Sequence, residues 1–338
     1  MVTRERPTLE AVARRAGVSR ATVSRVVNGS TTVATAIREA VHQAVEELGY
    51  VPNQAARSLV TQRTESIALI LPESASRVFS DDMFFPAVIR GVSTELEAAD
   101  KQLVLMMAGS AASHDRVERY AMAGHVDGVM FASMHGADPL PGALARLGIP
   151  VVCSGRPLTP SEAAVPYVDV DHFGGVTTAV EHLLTSGRRR VATIAGPQDM
   201  VAGIDRLNGY RATVDRAGMG TLIAVGDFTR ESGVRAMGEL LSTDPTLDAV
   251  FVASDMMAHG ALQTLRRAGR RVPEDVAVIG FDDVEISRLS DPPLTTVRQP
   301  IVEMGGTMAR LMLGLVRGRS DATSAVVLPT ELVVRASA

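Results

Sequence analysis

The hydrophobic pattern of the first fifty residues predicts three short helices. The first follows Thr8, whose hydroxyl can cap it, and ends at a tight turn through Gly17. The second follows Ser19, another capping residue, and stops at residues 28–29. The third runs from about residue 35 to residue 48, before Gly49. Two short helices joined by a tight turn are typical of a helix-turn-helix.

From residue 66 onward the pattern changes to short apolar strands that alternate with helical stretches. Such alternation indicates parallel sheets with helices on both faces. About nine units exceed what one sheet of this type usually holds, so we expect two lobes with a ligand cleft between them. Strands are predicted at 67–71, 103–107, 128–131, 151–153, 191–195, 222–225, 249–252 and 276–279, and helices at 85–99, 172–185, 206–217, 232–241 and 258–268.

These patterns divide the chain into a head, a hinge and a two-lobed core. The hinge contains a helical stretch of six residues, 54–59, capped by Asn53. A helix of that length is not stable alone, so we expect it to form only when something packs on it. The expected boundaries are 1–50 for the head, 51–65 for the hinge and linker, 66–165 plus 297–329 for the first lobe, and 166–296 plus 330–338 for the second lobe.

Charge and composition narrow the classes of function. The chain has 338 residues, 46% of them hydrophobic and 21% charged, with a net charge of -4. Residues 1–63 carry nine Arg against five Glu, a net of +4, so the remainder carries -8. A basic head on an acidic body suggests that only the head meets a polyanion, although chance composition can give the same imbalance.

Features of the chain favour a cytoplasmic protein. The first residues contain no apolar segment of the secretory type, and no run of about 18 apolar residues follows. Cys153 is the only cysteine, which fits a reducing compartment.

The second helix of the head has an apolar face and a polar face. Val23, Val26 and Val27 are spaced to point inward. An outer face with two Arg and small side chains suits the major groove, because Arg can donate two hydrogen bonds to guanine. Any small three-helix domain also has a solvated face, so the pattern alone does not decide. The outer residues are Arg20, Ala21, Ser24, Arg25 and Asn28.

Sequence motifs across the whole chain closely resemble the lactose/galactose repressor family (LacI/GalR). The head contains TLEAVARRAGVSRATVSRVVNG followed by LGYVPNQAARSL. Core motifs follow in family order: AGP at 195–197, GDF at 226–228, ASD at 253–255, GFDD at 280–283 and DPPLTTVRQP at 291–300. The resemblance implies an α/β protein in which a three-helix DNA-binding head precedes a periplasmic-binding-protein-like core of two doubly wound parallel sheets.

The resemblance also implies DNA contacts. Leu59 of the hinge matches a leucine that wedges into the minor groove at the operator centre; a buried linker leucine is the alternative. A symmetric dimer predicts a palindromic operator, and the family match implies a central CG step. Ala34 departs from the family, which often has Ser there. Base readers are expected at Arg20, Ala21 and Arg25, backbone contacts at Thr8, Ser19, Thr22, Ser24, Asn28 and Tyr50, and hinge contacts at Asn53, Ala56 and Leu59.

In the core, the family match implies that Arg206 and Asp282 grip a ligand from the second lobe. A carboxylate accepts and a guanidinium donates, so together they suit sugar hydroxyls. A structural salt bridge or helix cap is the alternative for both, and core packing is the alternative for the phenylalanines. The further expected ligand contacts are Phe84, Phe85, Asp171, Phe228, Ser254 and Gln299.

Departures from family branches favour a sugar over a purine. Met200 and Ala202 replace polar residues that the purine-binding branch uses, while Ser254 and Gly155 differ from sugar-binding members. We therefore expect a regulator of repressor type, a homodimer that binds an operator and a small effector and has no membrane segment, enzymatic activity, metal or cofactor. Two alternatives stay open: a sugar receptor without DNA function, and an enzyme, for which no catalytic motif is found.

Overall fold

The computed structural model describes residues 7–28, 30, 32–51, 63–158, 165–318 and 325–338. The chain forms two compact units, residues 1–64 and 65–338. The predicted hinge residues Asn53, Ala56 and Leu59 lie outside the described residues.

The smaller unit contains the three predicted helices, which are confirmed as α1 (Leu9–Ala16), α2 (Arg20–Val27) and α3 (Thr35–Leu48). Both predicted caps form. The hydroxyl of Thr8 accepts from the Ala11 amide at 3.3 Å, and that of Ser19 accepts from the Thr22 amide at 3.1 Å. The helices enclose a small core whose buried members are Val12, Ala13, Val23, Val26, Val41, Ala44 and Tyr50.

The larger unit contains two six-stranded sheets, one in each lobe. In the first sheet every pairing is parallel, in the order β11-β5-β4-β3-β1-β2. In the second the order is β12-β10-β9-β8-β6-β7, and only the edge strand β12 is antiparallel. The strands are β1 Ser66–Leu71, β2 Gln102–Met107, β3 Gly128–Phe131, β4 Val151–Ser154, β5 Tyr167–Val170, β6 Val191–Ala195, β7 Ile223–Val225, β8 Ala249–Val252, β9 Ala277–Asp282, β10 Thr295–Arg298, β11 Ala325–Leu328 and β12 Glu331–Val333.

Helices cover both faces of these sheets, and the packed apolar residues of each lobe form its core. Within the described ranges, none of the helices is long and apolar enough to cross a membrane. The helices of this unit are α4 Ala75–Val78, α5 Phe84–Ala98, α6 Ala111–Met122, α7 Leu140–Arg146, α8 His172–Thr185, α9 Val201–Arg216, α10 Arg230–Thr243, α11 Asp255–Arg267, α12 Glu285–Leu289 and α13 Ile301–Val316.

Two details differ from the sequence expectations. Residues 166–170 belong to the first lobe, because Tyr167 of β5 pairs with Cys153 of β4, and residues 297–298 belong to the second lobe as the end of β10. Helix α9 begins at Val201, so Arg206 lies in its second turn rather than at its start. The sequence pattern missed the first turn because Gly203, a residue that disfavours helix, lies within it. A Cβ there would lie 1.9 Å from the Pro197 carbonyl oxygen, so Gly permits a close approach and does not break the helix.

Candidate functional site

The outer face of α2 presents arginine to solvent, as the apolar pattern predicted. Val23 and Val26 are buried, while Arg20 and Arg25 are exposed on the other side. The Nε of Arg20 lies 3.1 Å from the Glu10 carboxylate. An exposed ion pair of this kind contributes little to stability, so Arg20 is free to exchange Glu10 for a nucleic-acid partner.

The small polar residues of the head have local roles in the structure. Thr8 and Ser19 cap helices, and the Asn28 side chain donates to the Ser24 hydroxyl at 3.4 Å. The Tyr50 ring is only 8% exposed, so it packs in the core of the head. Helix α3 starts at Ala34 without a side-chain cap. Their contacts with DNA stay predictions.

In the core, a cleft opens between the two lobes at the carboxyl ends of the strands. Its empty volume is about 900 Å³, including the solvent at its mouth. Within the described part of the chain, no group of three or more His, Cys, Asp and Glu side chains could hold a metal ion. Of the predicted ligand residues, those that line the cleft are Phe84, Phe85, Arg206, Phe228, Ser254, Asp282 and Gln299.

Asp171 does not line this cleft, which corrects its expected position. Its carboxylate caps α8 and accepts from the Gly174 amide at 2.8 Å. Ser254 lies at the cleft wall but also caps a helix, because its hydroxyl accepts from the Met257 amide at 3.2 Å. Cap-forming side chains follow many strands of an α/β fold, so sequence alone could not separate them from ligand contacts.

The centre of the cleft is a buried charged cluster. Arg206 is 4% exposed, and its Nη1 donates to the Ala253 carbonyl at 2.6 Å and approaches Asp282 Oδ1 at 3.5 Å. The Gln299 amide donates to the same Asp282 oxygen at 2.6 Å. Burial raises the pKa of Asp282 and lowers that of Arg206, so each charge depends on its partners. The guanidinium also lies 3.7 Å from the centre of the Phe281 ring.

Three residues at or beside this cluster have strained backbone conformations. Phe228, Asp282 and Asp283 have φ of 67°, 119° and 57°, in the region that favours glycine. Such conformations cost roughly 1–3 kcal/mol each and persist where the surroundings enforce them. The adjacent carboxylate of Asp283 supplies this support, since it accepts from Arg298 at 2.7 Å and from Arg335 at 2.5 Å. Asp283 thus anchors the turn that presents Asp282 to the cleft.

The aromatic wall of the cleft depends on a glycine. A Cβ on Gly196 would lie 2.4 Å from the Phe228 ring, so only Gly allows the ring to rest on this loop. Phe84 and Phe85 lie on the first-lobe side, in edge-to-face contact with ring centres 5.5 Å apart. Flat apolar surface beside a few buried hydrogen-bonding groups matches the needs of a ligand with apolar faces and many hydroxyls.

Sequence reasoning missed several titratable residues of the cleft. His172 accepts from Arg206 Nε at 3.3 Å and faces Asp169 at 3.2 Å. Burial, then the charge of Arg206, lowers the pKa of His172, so its neutral ring accepts at Nδ1 and donates from Nε2 to Asp169. Asp82 and Arg77 also line the cleft, 3.7 Å apart. The only available signal was their position just after predicted strands or at helix starts.

Among the described residues, loops of the two lobes meet across the cleft at three polar contacts. Arg77 Nη1 donates to the Asp227 carbonyl at 2.7 Å, and Arg156 makes two 2.6 Å contacts with the Asp205 carboxylate. The third contact is made by Asp199, which pairs with His135 at 2.9 Å and accepts at its carbonyl from Gly136 at 2.7 Å. The lobes are therefore closed over the cleft.

Comparisons with known proteins agree with this geometry. Residues 8–53 match the model for bacterial regulatory proteins of the lacI family, and residues 180–338 match a periplasmic binding protein-like domain. The chain is 50% identical to the HTH-type transcriptional regulator CelR of Thermobifida fusca, with all of both chains covered. It is 32% identical to the HTH-type transcriptional repressor CytR of Escherichia coli, covering 98% of this chain and 96% of CytR.

Solved structures extend the comparison. A transcriptional regulator CelR–cellobiose complex is similar at a TM-score of 0.78, with 48% identity over 98% of this chain and all of the other. The lac repressor dimer bound to operator and the anti-inducer ONPF gives a TM-score of 0.85, with 28% identity over 98% of this chain and 99% of the other. A DNA-binding head, a two-lobed cleft and full-length relatives together show that the chain is a transcriptional regulator that belongs to the LacI family.

Proposed function

We propose that the chain is a sugar-controlled repressor that binds, as a homodimer, a palindromic operator with a central CG step. The exposed arginine face of α2 supports major-groove reading, with Arg25 as the main guanine contact. The match of residues 8–53 to a DNA-binding family disfavours a sugar receptor without DNA function.

The effector that the cleft fits best is a disaccharide of β-linked glucose, such as cellobiose. The observation that carries this proposal is the buried cluster of Arg206, Asp282 and Gln299 beside the Phe228 ring. Carboxylate, guanidinium and amide groups exchange hydrogen bonds with hydroxyls, and the ring covers an apolar sugar face. The 48% identity to a regulator solved with cellobiose supports the same class.

A purine fits less well. Met200 and Ala202 line the cleft and offer no hydrogen-bonding side chains to the edge of a base. Met200 instead adds adaptable apolar surface, as do Met256 and Met304, which also line the cleft.

Control of DNA binding requires coupling between the cleft and the head. A sugar bound across the cleft contacts both lobes, so it changes the free energy of lobe closure. If the operator-bound dimer favours one closure state, sugar and operator affinities are linked. The sign of that coupling decides whether the sugar acts as inducer or corepressor.

Calorimetric titration of the purified protein tests the effector assignment. We expect cellobiose to bind, maltose to bind at least roughly tenfold more weakly because its linkage differs, and adenosine not to bind. Asp282→Asn should weaken cellobiose binding strongly, whereas the matched variant Asp171→Asn, which alters a helix cap outside the cleft, should retain it. Equal binding of all three compounds, or intact binding by Asp282→Asn, would contradict the proposal.

A further inference from the structure

A histidine at the rim of the cleft connects carboxylates from both lobes. His135 follows strand β3 of the first lobe, and its Nε2 lies 3.2 Å from Glu73 Oε1 of the same lobe. Its Nδ1 lies 2.9 Å from Oδ2 of Asp199, which follows β6 of the second lobe. The adjacent Gly136 amide donates to the Asp199 carbonyl at 2.7 Å, so a backbone hydrogen bond also joins the two loops.

Only the charged form of His135 satisfies both contacts. A neutral imidazole has one N–H and one lone pair, whereas an ionised carboxylate only accepts. If His135 were neutral, one ring nitrogen would direct its lone pair at a carboxylate oxygen. The hydrogen bond to Glu73, followed by that to Asp199, outweighs the opposing effect of burial and raises the pKa of His135 to about 8.

The charges around this histidine belong to the cleft. Glu73 also accepts from the Ser133 hydroxyl at 2.8 Å, and the nearby positive charge of Arg77 helps lower the pKa of Glu73. Arg77 pairs in turn with Asp82 at 3.7 Å. Ser133, Arg77 and Asp82 all line the cleft, so a change at His135 reaches the effector through these side chains.

The other two cross-lobe contacts differ from this one in their chemistry. Both use arginine, from Arg77 to the Asp227 carbonyl and from Arg156 to Asp205. Arginine stays charged throughout the range in which proteins are studied, whereas histidine changes charge near neutrality. Of these three contacts, the one made by His135 is therefore sensitive to pH near neutrality.

We propose that His135 is a positioning residue that acts as a pH-sensitive latch on lobe closure. Its imidazolium ties Glu73 to Asp199 and stabilises the closed cleft around the effector. The inference rests on the proposed function, because it concerns how the effector site is regulated.

The direction of the pH effect follows from the contact that His135 loses when the lobes separate. Separation of the lobes takes Asp199 away from His135 but leaves Glu73 in place, so the pKa of His135 is higher in the closed state. Closure therefore takes up protons. The latch is fully formed below the open-state pKa and is lost as pH rises through about 8, the closed-state value.

The size of the effect has an upper limit. The whole rise in pKa from 6.5 to about 8 corresponds to a factor of about 30 in equilibrium. Glu73 accounts for the larger share and persists on opening, while the Asp199 side chain is 56% exposed and screened. We therefore expect a fall of roughly two- to fivefold in effector affinity from pH 6 to pH 9.

Calorimetric titration with cellobiose at pH 6, 7, 8 and 9 tests the latch. The wild type should lose roughly two- to fivefold more affinity across this range than His135→Gln, and the two proteins should bind about equally at pH 9. The comparison removes the contribution of Asp282, whose pKa burial raises to about 7 in both proteins. Asp205→Asn, which weakens the arginine contact instead, should bind more weakly at every pH but keep the wild-type slope. The same pH profile in His135→Gln as in the wild type would overturn the proposal.

A measurement without ligand separates failure of the latch from failure of the effector assignment. Asp199→Asn removes the cross-lobe carboxylate and keeps the bond between His135 and Glu73. Thermal unfolding should show the wild-type Tm above that of Asp199→Asn at pH 6, with the difference closing by pH 9. A difference that does not change with pH would refute the latch, even if cellobiose proves not to be the effector.

Discussion

Arg25 of the head and Arg206 of the core are the same side chain placed in opposite surroundings. Arg25 stands exposed on the outer face of α2, in water and mobile ions. Arg206 is 4% exposed, donates to a backbone carbonyl and faces Asp282 and an aromatic ring. The exposed charge interacts weakly with each partner and is screened by salt, while the buried charge interacts strongly and is costly to leave unpaired.

This difference shows how one chain can contain two kinds of recognition. The head depends on many exposed charges that meet a polyanion, so its affinity should follow ionic strength. The cleft depends on a few desolvated groups in fixed geometry, so its affinity should follow the identity of single residues. The predictions below begin with the largest expected effect.

Ionic strength should produce the largest difference between the two sites, because it should change operator affinity far more than effector affinity. A dimer that contacts six to ten phosphates loses roughly 10³- to 10⁵-fold in operator affinity between 50 and 200 mM salt. Effector affinity should change by less than about twofold over the same range, because the Arg206 cluster is buried. Fluorescence anisotropy with labelled operator and calorimetry with cellobiose measure the two slopes. Equal slopes would mean that the contrast between the sites is wrong.

Loss of Asp282 should come next. Asp282→Ala leaves Arg206 buried without its carboxylate and Gln299 without its acceptor, a loss of roughly 2–5 kcal/mol in effector binding. Operator binding without effector should be unchanged, which anisotropy checks, and Asp282→Asn serves as a second variant that keeps the side-chain shape. Normal effector response in Asp282→Ala would remove Asp282 from the site.

Arg25→Ala should have an intermediate effect. We expect specific operator affinity to fall by about 1–3 kcal/mol and the preference at one base pair to relax. Binding to a panel of operators, each with one base pair changed, measures this directly. Arg14→Ala, which removes an exposed charge from α1, is the matched control and should not alter base preference. A uniform loss across all operators would instead make Arg25 a phosphate contact.

Ala34→Ser should have the smallest effect, and it should be favourable. The N-terminal residue before α3 is Ala34, which has no side-chain cap, so a serine hydroxyl there can accept a hydrogen bond from an amide of the first turn. We expect the free energy of unfolding of the head to rise by about 0.5–1 kcal/mol, measured by thermal unfolding. Ala36→Ser, an exposed change inside the same helix, should not stabilise. A loss of stability in Ala34→Ser would show that the start of α3 has another geometry.

The sequence predicted the head almost completely. Thr8 and Ser19 are capping residues that mark the starts of α1 and α2, and Gly17 and Gly49 mark the ends of α1 and α3. The spacing of the valines in α2 distinguishes its buried face from its exposed face. These signals are local, so neighbours in the sequence suffice to interpret them. The prediction that the head contacts DNA through particular residues came from the family resemblance.

The core was predicted less evenly. The buried central strands have continuous apolar runs that stand out, whereas β5, β10 and β12 are short and mixed in pattern, and β11 is an apolar run of only four residues. Their places depend on partners far along the chain, as when Tyr167 pairs with Cys153. The lobe boundaries shifted for this reason.

The cleft shows the limit most clearly. Asp282 and Asp283 are adjacent and identical in type, yet one faces the cleft and the other anchors Arg298 and Arg335. The local sequence pattern does not distinguish them, and the choice of Asp282 came from the family resemblance; the structure separates them by their contacts. Asp171 caps a helix outside the cleft, and Ser254 caps a helix at the cleft wall. The sequence could not separate the two roles, because capping a helix and binding a ligand use the same types of side chain.

The most direct test of the account measures operator and sugar binding on the same dimer. Anisotropy gives the affinity for a CG-centred palindrome with and without saturating cellobiose, and calorimetry gives the affinity for cellobiose with and without the operator. The account predicts that cellobiose changes operator affinity by at least about fivefold and that operator changes cellobiose affinity by the same factor. Tight binding of both ligands with no mutual effect would contradict it.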